Sequence, residues 1–227
     1  MNVLAFNGSP RRNGNTSLLL AELLRGVRDN GGEAQELVAQ DLNLKYCTGC
    51  LRCNMLRRCA LRGDDWPSLS QQIHQADALV FGSPVYFHHL TAPLKKIIDR
   101  FRSFIHVQMT PESIQHTPWL PWNKRFVLIL SMGSSDSADA TPVIDLFKFM
   151  TGILGADNTL RVLLGTRLAA SGQVARSAGE LAALYGRLGL PAHLADEGSR
   201  RNRNILQSCY DTGKALTAAC GADMKGS

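Results

Sequence analysis

The 227-residue chain carries 25 Lys and Arg against 19 Asp and Glu, a net charge of +6, and is 44% hydrophobic. That size and apolar content suit one domain with its own core rather than two, and no apolar run nears the roughly 20 residues a membrane helix needs. The basic residues are dispersed, with no stripe of interleaved aromatics, so neither nucleic acid nor a membrane is expected as partner; the charge suits an anionic cofactor or an acidic electron-transfer protein. The chain opens on an apolar run with no basic leader, which predicts a cytoplasmic protein.

Val3-Leu4-Ala5-Phe6 reads as the centre of a buried strand over residues 2–7. A helix follows over 15–29, where Leu19, Leu23 and Val27 recur four apart beside Leu20 and Leu24, and Gly31-Gly32 ends it. Next come a strand at 33–39, a cysteine loop at 43–65 and a helix at 66–75. Asp64-Asp65 supply its cap and Pro67 its early-turn proline. The pattern continues with a strand at 77–82, a polar loop, a helix at 91–105 and an aperiodic insertion at 106–124. Beyond it lie a strand at 125–131, a helix at 140–154, a strand at 158–164 and a helix at 171–189.

Strands alternating with helices predict an α/β fold, a doubly wound five-stranded parallel sheet with helices on both faces. The expected domain is 1–200, with 201–227 a C-terminal segment, helical over 200–220, or a tail. Ligands of such sheets sit beyond the carboxyl ends of the strands. The loops at 8–16, 82–91 and 131–139 are therefore the candidate site.

The first of these loops, Gly8-Ser9-Pro10-Arg11-Arg12-Asn13-Gly14-Asn15-Thr16-Ser17, is neither a Walker A loop nor a dinucleotide Gly-x-Gly-x-x-Gly turn. Its Ser9, Asn13, Asn15, Thr16 and Ser17 donors, with Arg11, suit a phosphate monoester at a helix N-terminus. A plain strand-to-helix turn capped by Asn15 or Thr16 is the other reading.

Cys47-x2-Cys50-x2-Cys53-x5-Cys59 can converge on one centre from a single loop, with Gly49 easing the turn. An iron–sulfur cluster, a disulfide or free thiols, and zinc all stay open on spacing alone. Cys209 and Cys220 are isolated and read as incidental.

Gly8-Ser9-Pro10-Arg11 with Asn15-Thr16, then Gly82-Ser83-Pro84-Val85-Tyr86, Pro93-Leu94-Lys95 and Asp99-Arg100, together resemble the flavodoxin-like NAD(P)H-dependent FMN reductases over about residues 1–165. The resemblance implies FMN, with Ser9, Arg11, Asn15, Thr16 and Ser17 on its phosphate. Pro84, Val85, Tyr86 and Phe87 would line the isoalloxazine ring, mostly through backbone amides, and Met132 and Gly133 would close on it. The cysteine motif resembles that of the iron–sulfur flavoproteins, a branch of the same family, which implies a [4Fe–4S] cluster on Cys47, Cys50, Cys53 and Cys59.

Either an enzyme or a carrier follows from that resemblance. The enzyme passes electrons from NAD(P)H, or from a ferredoxin-like donor, to a quinone, flavin or protein acceptor, with no obligatory side-chain acid or base. The carrier relays single electrons between FMN and the cluster without turning over NAD(P)H; a third alternative is a reductase whose cysteines bind no cluster. A homodimer or homotetramer is the expected assembly. Arg52, Arg57, Arg58 and Arg62 are placed to offset an anionic thiolate centre. His88 or His89 could reach a bound substrate, the aromatics of 106–124 could form a lid, and Arg200, Arg201 and Arg203 read as a solvated turn or a nucleotide-phosphate contact.

Overall fold

The computed structural model describes residues 1–218. In chain order the main elements are β1 (Asn2–Asn7), α1 (Asn15–Asp29), β2 (Glu33–Val38), α2 (Cys53–Leu56), α3 (Trp66–Gln75), β3 (Ala78–Pro84) and α4 (Ala92–Arg100). They are followed by β4 (Ile105–Met109), β5 (Ile114–Pro118), β6 (Arg125–Ser131), α5 (Thr141–Leu154), β7 (Thr159–Gly165), α6 (Ala178–Arg187) and α7 (Ala195–Ala218).

Five strands pair in parallel in the order β2-β1-β3-β6-β7, so the expected doubly wound, flavodoxin-like sheet is present. The central strands are apolar on both sides because both faces are covered. Leu4, Phe6, Leu79, Phe81, Leu128 and Leu130 turn toward α3, α4 and α5, and alternate residues Val3, Ala5, Ala78, Val80, Val127 and Ile129 toward α1 and α7. Between α1 and α7 the backbones nearly touch. A Cβ on Gly26 would lie 2.1 Å from the Tyr210 carbonyl oxygen, and one on Gly213 would lie 2.0 Å from that of Leu23. Among the described residues no helix is long and apolar enough to cross a membrane.

Several expected boundaries move. The helix expected at 91–105 stops at Arg100 and tightens into a 3₁₀ turn over Phe101–Phe104. The insertion at 106–124 is not aperiodic, because β4 and β5 form an antiparallel ribbon from Ile105↔Pro118 to Met109↔Ile114. Within it Trp122 is 3% exposed in the core against Phe104 and Phe126, so that aromatic is no part of a lid. The helix expected from 171 begins at Ala178, where Ser177 and Glu180 make a reciprocal capping box. Finally, α7 starts at Ala195, so residue 201 falls inside one helix and Arg200, Arg201 and Arg203 lie on that helix rather than on a turn. Cys220 lies outside the described residues.

Candidate functional site

The loop after β1 is built by its own side chains. Buried Asn7 donates to Ser17 Oγ at 3.0 Å and to Glu36 Oε1 at 2.8 Å, while its Oδ1 accepts from the Ser9 N–H at 2.9 Å. The Ser9 and Ser17 hydroxyls both donate to the Arg11 carbonyl at 3.0 Å. Thr16 Oγ1 and Ser131 Oγ lie 2.7 Å apart, joining the first loop to the end of β6. Asn15 Nδ2 donates to the carbonyls of Leu168 (3.0 Å) and Ala170 (2.8 Å), and its Oδ1 accepts the Val174 N–H at 3.0 Å.

These hydrogen bonds overturn the capping expectation. Gly14, not Asn15 or Thr16, is the N-cap of α1, and it offers no side-chain cap. The N–H groups of Asn15, Thr16 and Ser17 therefore have no partner among the described residues. The polar side chains shape the loop, and the uncapped helix end supplies the anion-seeking donors.

One cleft collects Ser9, Arg11, Asn15 and Thr16 from the first loop, Pro84, Val85 and Tyr86 from the second, and Met132 and Gly133 from the third. Ser17 and Phe87 are the two expected residues outside its lining. Ser131, Leu168 and Ala169 also line it. The sequence offered a signal for Ser131, a hydroxyl closing an apolar strand, but none for the other two. The second loop spends its Val85 N–H on the Ser131 carbonyl (2.9 Å) and its Tyr86 N–H on the His89 carbonyl (3.0 Å), so those two amides are not free for a ligand.

Tyr86 to His89 is a tight turn with Phe87 at φ 48° and His88 at φ 59°. Left-handed backbone costs a non-glycine residue about 1–2 kcal/mol. Phe87 is 101% exposed and recovers none of it by packing within the chain. Phe87→Asn, which tolerates left-handed backbone and leaves the His88 contact in place, is expected to raise stability by up to roughly 1 kcal/mol. A lower urea midpoint in the variant would contradict this account of the turn. His88 Nδ1 lies 3.2 Å from the Asp139 carbonyl oxygen, tying the second loop to the segment before α5.

The cysteine loop is clamped at both ends. Asp64 and Arg100 form an ion pair at 2.6 Å with both side chains fully buried, and Asp64 Oδ2 also accepts the Lys45 N–H at 3.0 Å. Asp65 accepts the Asn43 N–H at 2.8 Å. Burial opposes the charge on Asp64, but Arg100 and the Lys45 and Trp66 N–H groups outweigh it and hold the carboxyl below its usual range. Asp64 thus caps α3 only in part, and its larger role is to fasten the loop.

Cys47, Cys50, Cys53 and Cys59 are free thiols lining one concavity, which Arg100 and Arg102 also line. Among the described residues no group of three or more His, Cys, Asp or Glu side chains is gathered closely enough to hold a metal ion. The guanidinium that reaches a cysteine is that of Arg102, with Nη1 3.5 Å from Cys53 Sγ. None of Arg52, Arg57, Arg58 or Arg62 makes such a contact, although the Arg52 charge favours the Cys50 thiolate, and Arg57 instead lies over the Trp119 ring. Burial raises the Cys53 pKa, with Arg102 pulling against it; at exposed Cys50 the Arg52 backbone N–H lowers it. Four thiols on one concavity with a cationic wall, and a buried Arg100 Nε that lacks a partner among the described residues, are a donor set that suits an anionic metal–sulfur centre.

A doubly wound sheet in this strand order, with three loops meeting at its carboxyl edge, defines a protein of the flavodoxin-like class. The family model described as NADPH-dependent FMN reductase matches residues 1–165, and the chain belongs to that family. An iron–sulfur flavoprotein of Methanocaldococcus jannaschii is 37% identical over 102 residues, 45% of this chain and 52% of the relative. One of Archaeoglobus fulgidus is 34% identical over 106 residues, 47% of this chain and 48% of the relative. The chain spans about half the length of these curated relatives. An azoreductase structure from Bacillus anthracis superposes with a TM-score of 0.60 at 14% identity, covering 95% of this chain and 99% of that one, which shows the shared fold.

Proposed function

We propose that the chain is an FMN-dependent oxidoreductase that takes electrons from NAD(P)H or a ferredoxin-like donor and passes them to a quinone, flavin or protein acceptor. The observation that carries this reading is the uncapped N-terminus of α1 opening into a cleft lined by all three loops at the carboxyl edge of the sheet. The N–H groups of Asn15 and Thr16, with that of Ser17 behind them and the Arg11 guanidinium, would hold the FMN phosphate. Pro84 to Tyr86 and Met132 to Gly133 would wall the ring system. When bound, FMN supplies hydride acceptance and one- or two-electron release.

Cys47, Cys50, Cys53 and Cys59 would hold a [4Fe–4S] cluster, which supplies single-electron transfer. The shared concavity, its arginine wall and the iron–sulfur flavoprotein relatives support this. A homodimer or homotetramer remains part of the proposal.

FMN added to the apoprotein is expected to lose its fluorescence stoichiometrically. Arg11→Gln should weaken its affinity on the order of tenfold, the cost of about one charge-assisted hydrogen bond. Protein that takes up no FMN would end this reading. Anaerobic purification with iron and sulfide analysis tests the cluster separately, and iron-free protein that still binds FMN would leave a cluster-free reductase.

A further inference from the structure

A second cavity of about 300 Å³ opens beside the cleft, and the two share Gly133 and Ala169 as a common rim. Most of its wall comes from chain beyond residue 165, outside the family match. Arg167 lines it from a backbone held in the left-handed region at φ 57°. Its N–H donates to the Ser134 carbonyl at 2.9 Å, and its carbonyl accepts from Gln173 Nε2 at 2.8 Å. Gln173 is itself buried, and its Oε1 accepts the Ala170 N–H at 3.0 Å. The backbone is thus pinned on both sides, while the Arg167 guanidinium makes no hydrogen bond among the described residues. Left-handed backbone so firmly held fixes where the exposed Arg167 side chain leaves the main chain, at the cavity wall.

The facing wall is supplied by α6 and α7. Buried Tyr185 places its hydroxyl against Gly198, where any Cβ would come within 2.7 Å of it. That hydroxyl has no hydrogen-bond partner among the described residues. Arg201 has a buried Nε without a partner among them, and its Nη1 lies 3.7 Å from Glu197 Oε1. Leu188 and Leu190 are 54% and 47% exposed, an unspent apolar surface at the cavity edge.

Charge and size select the occupant. Two guanidiniums less the Glu197 carboxylate leave one net positive charge, which matches one monoanionic group rather than a pyrophosphate. The volume lies at the small end for ligand pockets, roughly 300–1,000 Å³, enough for a one- or two-ring acid and too little for a dinucleotide. We propose that this cavity binds a small aromatic carboxylate, its acid on Arg167 and Arg201 and its ring against Tyr185, Leu188 and Leu190. That the ligand would sit beside a flavin rests on the reading above; the binding itself does not.

The test is calorimetric titration of 2-naphthoate into FMN-reconstituted protein and into protein without added FMN. Saturable 1:1 binding is expected, about tenfold weaker in Arg167→Gln and in Arg201→Gln, the loss of one charged hydrogen bond. Arg201→Lys should recover part of that loss. Glu197→Gln should tighten binding by removing a competing carboxylate, and neutral 2-naphthamide should not bind. Equal binding of the amide, no loss in either arginine-to-glutamine variant, or displacement of naphthoate by NADP⁺ would each overturn the assignment, the last by making the cavity a nucleotide-phosphate site. Protein that binds naphthoate but takes up no FMN would support the cavity and end the flavin reading alone.

Discussion

Asp64→Asn is expected to lower the unfolding free energy by about 3–5 kcal/mol, because it leaves the fully buried Arg100 guanidinium without a counter-charge. A surface ion pair such as Arg12 with Asp41 is worth about 0–1 kcal/mol by comparison. Replacing both partners by leucine should recover only part of the loss, since the N–H groups of Lys45 and Trp66 would still be without their acceptor. The sign of the pH dependence follows from the depressed carboxyl. A group whose folded pKa lies below its unfolded value of about 3.9 contributes fully above that value and loses its contribution as pH falls through the folded one. The gap in urea midpoint between the wild-type protein and Asp64→Asn should therefore narrow below about pH 4. A gap that stays constant into acid would mean the carboxylate is not what stabilises the pair. The same variant should expose Cys53 to thiol reagents, because Asp64 fastens the loop that buries it.

The ion pair also shows where the sequence was legible and where it was not. Asp64-Asp65 before Trp66-Pro67 predicts a helix start, and α3 begins there. Nothing local reveals that Asp64 turns inward to an arginine 36 residues away, because that contact exists only once the chain has folded back on itself. Strand and helix order was readable throughout the sheet, since burial on two faces leaves continuous apolar runs in β1, β3 and β6 and a four-residue spacing in α1. The β4–β5 ribbon was missed although Ile105, Val107 and Met109 alternate with polar residues, because three prolines and two tryptophans nearby mask so short a period. In the candidate site, Ser9, Arg11, Asn15 and Thr16 of the first loop line the cleft as their polarity and position in the chain suggested. Leu168 and Ala169 come from the far strand edge, and Arg102 reaches Cys53 from a 3₁₀ turn, so neither could be paired from spacing. Of the four arginines of the cysteine loop only Arg52 favours a thiolate, that of Cys50, and the guanidinium in contact with a thiol lies outside the loop.

Asn15 is where that missed part of the site meets the readable part, and Asn15→Asp is the second large effect. The side chain is 7% exposed and joins the start of α1 to the segment after β7 through three hydrogen bonds. An aspartate keeps the acceptor for the Val174 N–H but turns a carboxylate toward the carbonyls of Leu168 and Ala170. The buried Leu168 carbonyl is left unsatisfied at a cost of about 1–3 kcal/mol, that of Ala170 keeps only the Gln173 N–H at 3.3 Å, and a negative charge at a helix N-terminus recovers about 0.3–1 kcal/mol. A net loss of roughly 1–3 kcal/mol is therefore expected. Asn15→Ala breaks the same anchors without adding charge and should cost a similar amount. The two variants part company on FMN, since the aspartate places a charge of the same sign beside the proposed phosphate site. Its FMN affinity should fall at least about tenfold below that of Asn15→Ala at low salt, and the difference should shrink as ionic strength rises. Equal FMN affinities for the two variants, both folded at the temperature of measurement, would mean that the end of α1 is not where the phosphate sits. The anchoring of the loop by Asn15 would then be purely structural.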